Sequence, residues 1–404
     1  MTTRSGRPPR IGLFGLLGSG NIGNDVSMQS VLAYLRMSHP DATIDAMCMG
    51  PERVKADAGI DAIPLLWYQR FEGRVFGLPA QALKAIGKGI DAFRTAAWVR
   101  GHDVVIVPGM GVLEASTPIN PWGVPYALFL LSAWGRLWGT KVALVSVGAT
   151  VINQPGVRWF STWAARLAYY RSYRDVRSRD AMRQRGLDVS KDRVFPDLVF
   201  AIPPDSADPG IPKIVGVGVM AYYGTNDDRI RADDIHASYT GTMTRFIQWL
   251  LDNGREVRLF VGDSSDAETV ADITEALQVS HPDLAPERVV AEKITSFAEL
   301  MRAMAPVSSV VATRYHNVMC ALKLGKPAIS LGYSGKNISL MEDMGVPEFW
   351  QHANRIDFDR LIEQFTTLES NEIQLRETIT KRNAELAARL SEQFAVLDSV
   401  LFTR

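Results

Sequence analysis

Short apolar and β-branched runs alternate with helix-length segments along most of the chain, and this alternation narrows the possible folds more than any other feature. IGLFGLLG precedes DVSMQSVLAYLRMS, DVVIVPGMG precedes YALFLLSAWGRLWG, KVALVSVGAT precedes VRWFSTWAARLAYY, and YRDVRSRD precedes AMRQRGL. Parallel strands need crossovers of about a dozen residues or more, usually helical. The pattern therefore predicts a mostly parallel sheet covered by helices. It pauses at PPDSADPGIPK, where Pro, Asp, Ser and Gly concentrate. A second series then follows, from IVGVGVM through EVRLFVG and RVVAEKI to SSVVATRYH and PAISLGY.

A chain of 404 residues with 47% hydrophobic content has material for two cores. The expected α/β organisation is an N-terminal Rossmann-like domain over residues 11–204, a linker at 205–213 and a C-terminal Rossmann-like domain over 214–350. Helices over 351–404 are expected to pack back on the first domain, and the two sheets to enclose a central cleft. Leu375, Ile379, Leu386, Leu390, Phe394, Leu397 and Leu401 recur at helical steps and form one stripe of a long C-terminal helix.

Lys plus Arg and Asp plus Glu are both 44, so no overall field points to a nucleic-acid partner. Cys48 and Cys320 lie in apolar surroundings far apart in sequence, which fits buried reduced thiols and gives no metal-ligand cluster. Neither a metal nor a cofactor is expected. The basic tail MTTRSGRPPR runs straight into a glycine-rich strand without the apolar core of a secretory signal, so a cytoplasmic location is expected. VPYALFLLSAW, the longest apolar run, falls short of the roughly 20 residues of a spanning helix. Residues 79–100 interleave Leu83, Ile86, Ile90, Phe93 and Trp98 with Lys84, Lys88, Arg94 and Arg100. Such a helix suits either packing on its own domain or a peripheral contact at the inner face of the cell membrane. Homo-oligomerisation stays open.

Charge is uneven locally. From Ala312 to Met341, Arg314, His316, Lys323, Lys326 and Lys336 occur without one Asp or Glu. Arg314 and His316 fall where SSVVA gives way to the helical NVMCALKLG, and a helix start at a strand end favours an anion. Upstream, GLLGSGNIGND turns a strand into a helix, making Gly20, Asn21 and Gly23 candidate cleft-loop residues. Asp25 there is either a cap or a catalytic carboxylate. VIVPGMGVLEAS places Gly109 and Gly111 in a loop and delivers Glu114, which either caps the next helix or accepts a proton from a sugar hydroxyl. The stretch from Arg158 to Arg185 carries eight arginines, most of them expected on solvated faces. Arg179, beside Asp180, is read as ending a strand and aiming its guanidinium at a carboxylate or phosphate.

GSGNIGND, VIVPGMGVLEAS, SRDAMRQRGLD and ATRYHNVMCALKLGKPAISLGYSGK together resemble the polysaccharide pyruvyl transferase family, over roughly residues 11–350. The resemblance implies a GT-B-like pair of Rossmann-like domains. It also implies transfer of a pyruvyl group from phosphoenolpyruvate to a sugar of a polysaccharide or lipid-linked saccharide, leaving a pyruvate ketal and phosphate. Arg314 and His316 then correspond to the donor-binding arginine and the essential histidine, Arg179 to the arginine of an Arg-Asp motif, and Lys336 to a later lysine. Asn317 joins the donor set, and Tyr333 the cleft loops. Three departures stand out. Tyr315 replaces a common leucine, Met110 sits in the middle of a usual triple glycine, and Arg183 stands where a serine often follows the Arg-Asp pair. A nucleotide-sugar glycosyltransferase and a noncatalytic glycan-binding protein are the alternatives of the same architecture.

Overall fold

The structure, a computed structural model, describes residues 7–71, 76–115, 119–203, 210–224, 226–261, 266–292, 294 and 296–403. It divides into two compact units, Met1–Ile202 with Ala388–Arg404, and Pro203–Ala387.

The first unit runs β1 (Arg10–Gly15), α1 (Ile22–Ser38), β2 (Thr43–Cys48), α2 (Pro51–Ala58), β3 (Asp61–Pro64), α3 (Gly77–Arg100), β4 (Val104–Pro108), α4 (Val124–Trp138), β5 (Lys141–Val147), α5 (Pro155–Leu167), β6 (Tyr170–Tyr173), α6 (Val176–Gln184) and β7 (Arg193–Val194). The second runs β8 (Ile211–Gly218), α7 (Ala232–Asp252), β9 (Glu256–Phe260), α8 (Ala267–Ser280), β10 (Val289–Ala291), α9 (Phe297–Met304), β11 (Val307–Ala312), α10 (Tyr315–Lys323), β12 (Ala328–Gly332), α11 (Gly335–Asp343), β13 (Trp350–His352), α12 (Phe358–Ser370) and α13 (Glu372–Leu397).

Both sheets are parallel, in the orders β3-β2-β1-β4-β5-β6-β7 and β10-β9-β8-β11-β12-β13. Helices on both faces explain why central strands such as β4, β11 and β12 are apolar without alternation: every one of their residues is buried. Strand order reverses between β1 and β4 and again between β8 and β11. In open α/β sheets the crevice beyond the carboxyl ends at such a reversal is where ligands sit.

The linker reading meets the structure at its edge. Residues 204–209 lie outside the described residues, and Ile211–Lys213 already belong to β8. The block 351–404, expected to pack on the first domain as a whole, is divided: residues up to Ala387 count with the second unit, and those from Ala388 with the first. In that last segment Phe394 stacks on Tyr34 at 4.4 Å, and the Lys141 ammonium donates to the carbonyls of Val400 and Leu401. Buried Gln393 joins Ser146 and Ser172, accepting from Ser146 Oγ at 3.0 Å and donating to Ser172 Oγ at 2.8 Å. It sits where the β5–β6 register shifts and Ser146 takes φ 50°.

Candidate active site

The acid-free window runs from the last residue of β11 through α10 and β12 into α11, so Arg314, His316 and Lys336 fall at the carboxyl edge of the second sheet, beside the β8–β11 reversal. Arg314 is the N-cap residue of α10, in extended conformation, and its own side chain caps nothing. That side chain instead turns to Asp266, donating from Nε at 3.0 Å and from Nη2 at 2.6 Å. Asp266 is fully buried and also accepts the Ala221 N–H at 3.0 Å, beyond the end of β8. The sequence reading missed this acid. It lies outside the window, at the start of α8, and reaches Arg314 only because β8 stands between β9 and β11.

The backbone below Arg314 is equally determined. Thr313 is fully buried, and its hydroxyl bonds Tyr239 Oη at 2.7 Å, while Tyr239 Oη accepts the Met220 N–H at 3.2 Å. Burial pushes the Tyr239 phenol up, so it stays a neutral strut. His316 and Asn317 follow in the first turn of α10. Asn317 is fully buried against Gly218, where an added Cβ would meet its Nδ2 at 2.6 Å, so glycine alone fits at that strand end. Neither side-chain atom of Asn317 has a hydrogen-bond partner among the described residues, an unusual state for a buried amide. Lys336, in the first turn of α11, places its ammonium 5.1 Å from the Tyr315 ring centre, joining the two helix starts. Tyr333 precedes α11 with its ring 5.7 Å from that of Tyr222. Lys326 is not part of this edge: it is buried and donates to the carbonyls of Ala305 and Val307. Lys323, at the far end of α10, is also buried, and burial lowers its ammonium to about 8.

In the first unit, Asn21 caps α1 by accepting from the N–H groups of Gly23 and Asn24, and Gly20 takes φ 86° in the preceding loop. Asp25 Oδ1 accepts the Gly18 N–H at 2.7 Å, while its buried Oδ2 has no hydrogen-bond partner among the described residues. Burial, only partly offset by that bond and by Arg53, raises the Asp25 carboxyl above its ordinary range. Glu114 is held differently. It forms an ion pair with Arg174, and the pair lies over Gly148, where an added Cβ would strike both side chains. Gly109 and Gly111 form the turn that brings Glu114 there, Gly109 with φ 57°. Asp25 Oδ2 lies 3.7 Å from Arg53 Nε, so each of the two carboxylates faces an arginine.

Arg179 does not end a strand. β6 stops at Tyr173 and α6 starts at Val176, so Arg179 is inside the helix with its Nε 3.8 Å from Asp180. Arg174 and Asp175 occupy the strand-to-helix junction, and Asp175 caps α6 by accepting the Ser178 N–H at 2.6 Å. The expectation of solvated arginines also fails in part. Arg171 makes a two-point ion pair with Asp192, and buried Arg185 donates to the Leu113 carbonyl. Among the described residues, no group of three or more His, Cys, Asp or Glu side chains is arranged to hold a metal ion.

The family model described as polysaccharide pyruvyl transferase matches residues 21–335. This chain belongs to the polysaccharide pyruvyl transferase family. No curated protein sequence matches it. Solved structures with the same fold include the UDP-GlcNAc 2-epimerase of Neisseria meningitidis bound to UDP-GlcNAc, at 12% identity and TM-score 0.61 over 98% of this chain and 100% of that one. Anabaena Alr3699/HepE in complex with UDP-glucose matches at 12% identity and TM-score 0.61, over 97% and 99%. The UDP-GlcNAc 2-epimerase of Methanocaldococcus jannaschii matches at 9% identity and TM-score 0.57, over 88% and 92%. These likenesses establish a GT-B-like fold of two Rossmann-like domains in a pyruvyl transferase. The departures from the family pattern also gain physical content. Tyr315 is the ring beneath Lys336, and buried Met110 holds φ 64° with its Cε packed where a side chain on Gly15 would be. An Arg-Asp pair followed three residues later by serine is present after all, as Arg174, Asp175 and Ser178, with Ser178 Oγ accepting the Ala149 N–H.

Proposed function

We propose that this enzyme transfers the pyruvyl group of phosphoenolpyruvate to a sugar of a polysaccharide or lipid-linked glycan, forming a pyruvate ketal and releasing phosphate. The observation that carries the reading is the edge of α10. There a guanidinium fixed by a buried carboxylate, a histidine and a buried amide with unused hydrogen-bonding capacity share one helix start. A dianionic phosphate and a carboxylate on one small donor call for such cations and N–H groups. Arg314 and Asn317 bind the donor, with Lys336 supplying further positive charge and Arg179 as an additional candidate. His316 protonates the methylene carbon or the departing phosphate.

The steps balance. Protonation of the donor's CH2 carbon gives an oxocarbenium-like centre, one sugar hydroxyl adds to it and gives up its proton, phosphate leaves with the electron pair of its C–O bond to regenerate such a centre, and a second hydroxyl adds there, closing the ring as its proton leaves. Asp25 or Glu114, each beside an arginine, orients the hydroxyls or accepts their protons. No cofactor takes part. The test is incubation with phosphoenolpyruvate and candidate glycans. Equal release of phosphate and gain on the sugar of pyruvate less one water supports the reading. Turnover with UDP-sugars and none with phosphoenolpyruvate would replace it with a glycosyltransferase.

A further inference from the structure

Helices α3, α4 and α5 form one packed layer of the first unit, with α4 against both neighbours and Tyr126 Oη donating to the Lys88 carbonyl. Five of the nine tryptophans belong to α4, α5 and the turn before α4. Three of them form one ring cluster, Trp122 being 5.3 Å from Phe160, Phe160 5.1 Å from Trp159 and Trp159 6.2 Å from Trp163, while Trp134 and Trp138 stack as a second pair at 6.0 Å. These are not core residues alone. Trp122 is 50% exposed, Trp159 49%, Leu137 63% and, on α3, Phe93 79%.

The charge on this layer has one sign. From Ala115 to Arg174 there is no Asp or Glu, in a chain whose acids and bases are equal in number. Asp91, the single acid of the three helices, is buried and accepts the Trp67 N–H at 2.7 Å, so it contributes nothing to the outer face. Arg136, Arg158 and Arg166 are exposed there. Arg166 lies 4.7 Å from the Trp163 ring centre and Arg100 lies 5.4 Å from that of Trp138, pairing cations with aromatics as at a membrane interface.

We propose that the outer surface of the α3–α4–α5 layer is the face by which this protein docks on an anionic lipid bilayer. Exposed tryptophan and leucine enter the headgroup boundary while the surrounding arginines meet anionic headgroups. The anchors thus lie mainly on α4 and α5 and not, as the sequence suggested, on residues 79–100 alone. A second copy of the chain fits this face poorly, because a two-fold contact would set its arginines against their own copies. The inference rests on the surface and not on the donor chemistry.

Flotation with vesicles of equimolar phosphatidylcholine and phosphatidylglycerol tests it. Binding is expected at low salt, weakened by added salt and by about tenfold or more in the triple variant Arg136→Glu, Arg158→Glu, Arg166→Glu. Tryptophan emission should shift to the blue and be quenched by brominated acyl chains, and Leu137→Ser with Trp159→Ser should reduce that quenching. Absence of flotation at low salt, or flotation unchanged in the triple variant, overturns the proposal. So does a lipid-free dimer broken by the triple variant without vesicle binding. Turnover on a water-soluble acceptor should be unaffected in these variants, so failure of docking and failure of the donor reading are separable.

Discussion

A guanidinium fixed by two bonds to a buried carboxylate has its direction set before any ligand arrives, and this is how Arg314 differs from the exposed Arg183. Arg314→Ala should weaken donor binding, each charge-assisted bond being worth about 1.5–3 kcal/mol. Asp266→Asn should raise the KM for phosphoenolpyruvate more than it lowers kcat, since it loosens the cation without removing it. His316→Ala should leave binding largely intact and lower kcat by about 10²–10⁴. Steady-state kinetics with calorimetric binding distinguish the three, and near-normal kcat in His316→Ala removes it from the mechanism. Lys323 makes a separate prediction about pH. Its folded-state value of about 8 lies below the ordinary 10.5, so folding favours the neutral amine. Stability therefore rises as pH climbs from 8 to 10.5, and below 8 the whole burial cost is present. Lys323→Met should be more stable than the parent at pH 7 by up to ~3 kcal/mol, with the gap closing toward pH 10.5. Urea midpoints at several pH values check it; a gap that does not change with pH defeats it. The cations of this edge were legible because one segment carries them. Asp266 was not, because only sheet order brings it near.

The element that sequence reading misplaced is α6. YRDVRSRD alternates well enough to pass for a strand, yet Asp175 satisfies the Ser178 N–H and starts the helix four residues before Arg179. A local side-chain cap outweighed the β-like pattern. The consequence is measurable. Arg174 is enclosed with Glu114, so Arg174→Ala leaves a largely buried carboxylate without its cation and should cost roughly 3 kcal/mol. Arg179→Ala, on a partly exposed helix face, should change stability by no more than about 0.5 kcal/mol. Urea denaturation separates them, and loss of donor turnover in a stably folded Arg179→Ala would support its place in the donor set. The last helix was more legible. Ile379, Leu386, Leu390 and Leu397 are buried as their spacing predicts, because a single apolar stripe needs no knowledge of its partner. Gln393, polar and fully buried on that helix, had no such signal: its partners Ser146 and Ser172 lie more than two hundred residues away in sequence.

For the whole molecule, the strand-and-helix rhythm was enough to predict two parallel α/β sheets, since β4 and the buried last five residues of β8 announce themselves by continuous runs of apolar residues and glycine. The two-residue β7 and three-residue β13 at the sheet edges carry no such run. The units have separate cores, and Arg314, His316, Asn317 and Lys336 all belong to the second. A ligand that binds only the folded state raises apparent stability, by about 2.7 kcal/mol at a hundred times its Kd. Phosphoenolpyruvate should therefore slow amide hydrogen exchange around Gly218–Met220, Thr313–Asn317 and the start of α11, the backbone that surrounds Arg314 and Lys336. The β-strands of the first unit should exchange as before. Arg314→Ala should abolish this protection, while His316→Ala should retain most of it, because a proton donor is not required for the ground-state complex. Protection of these segments by UDP-sugars and not by phosphoenolpyruvate would assign the same helix edge to a nucleotide ligand.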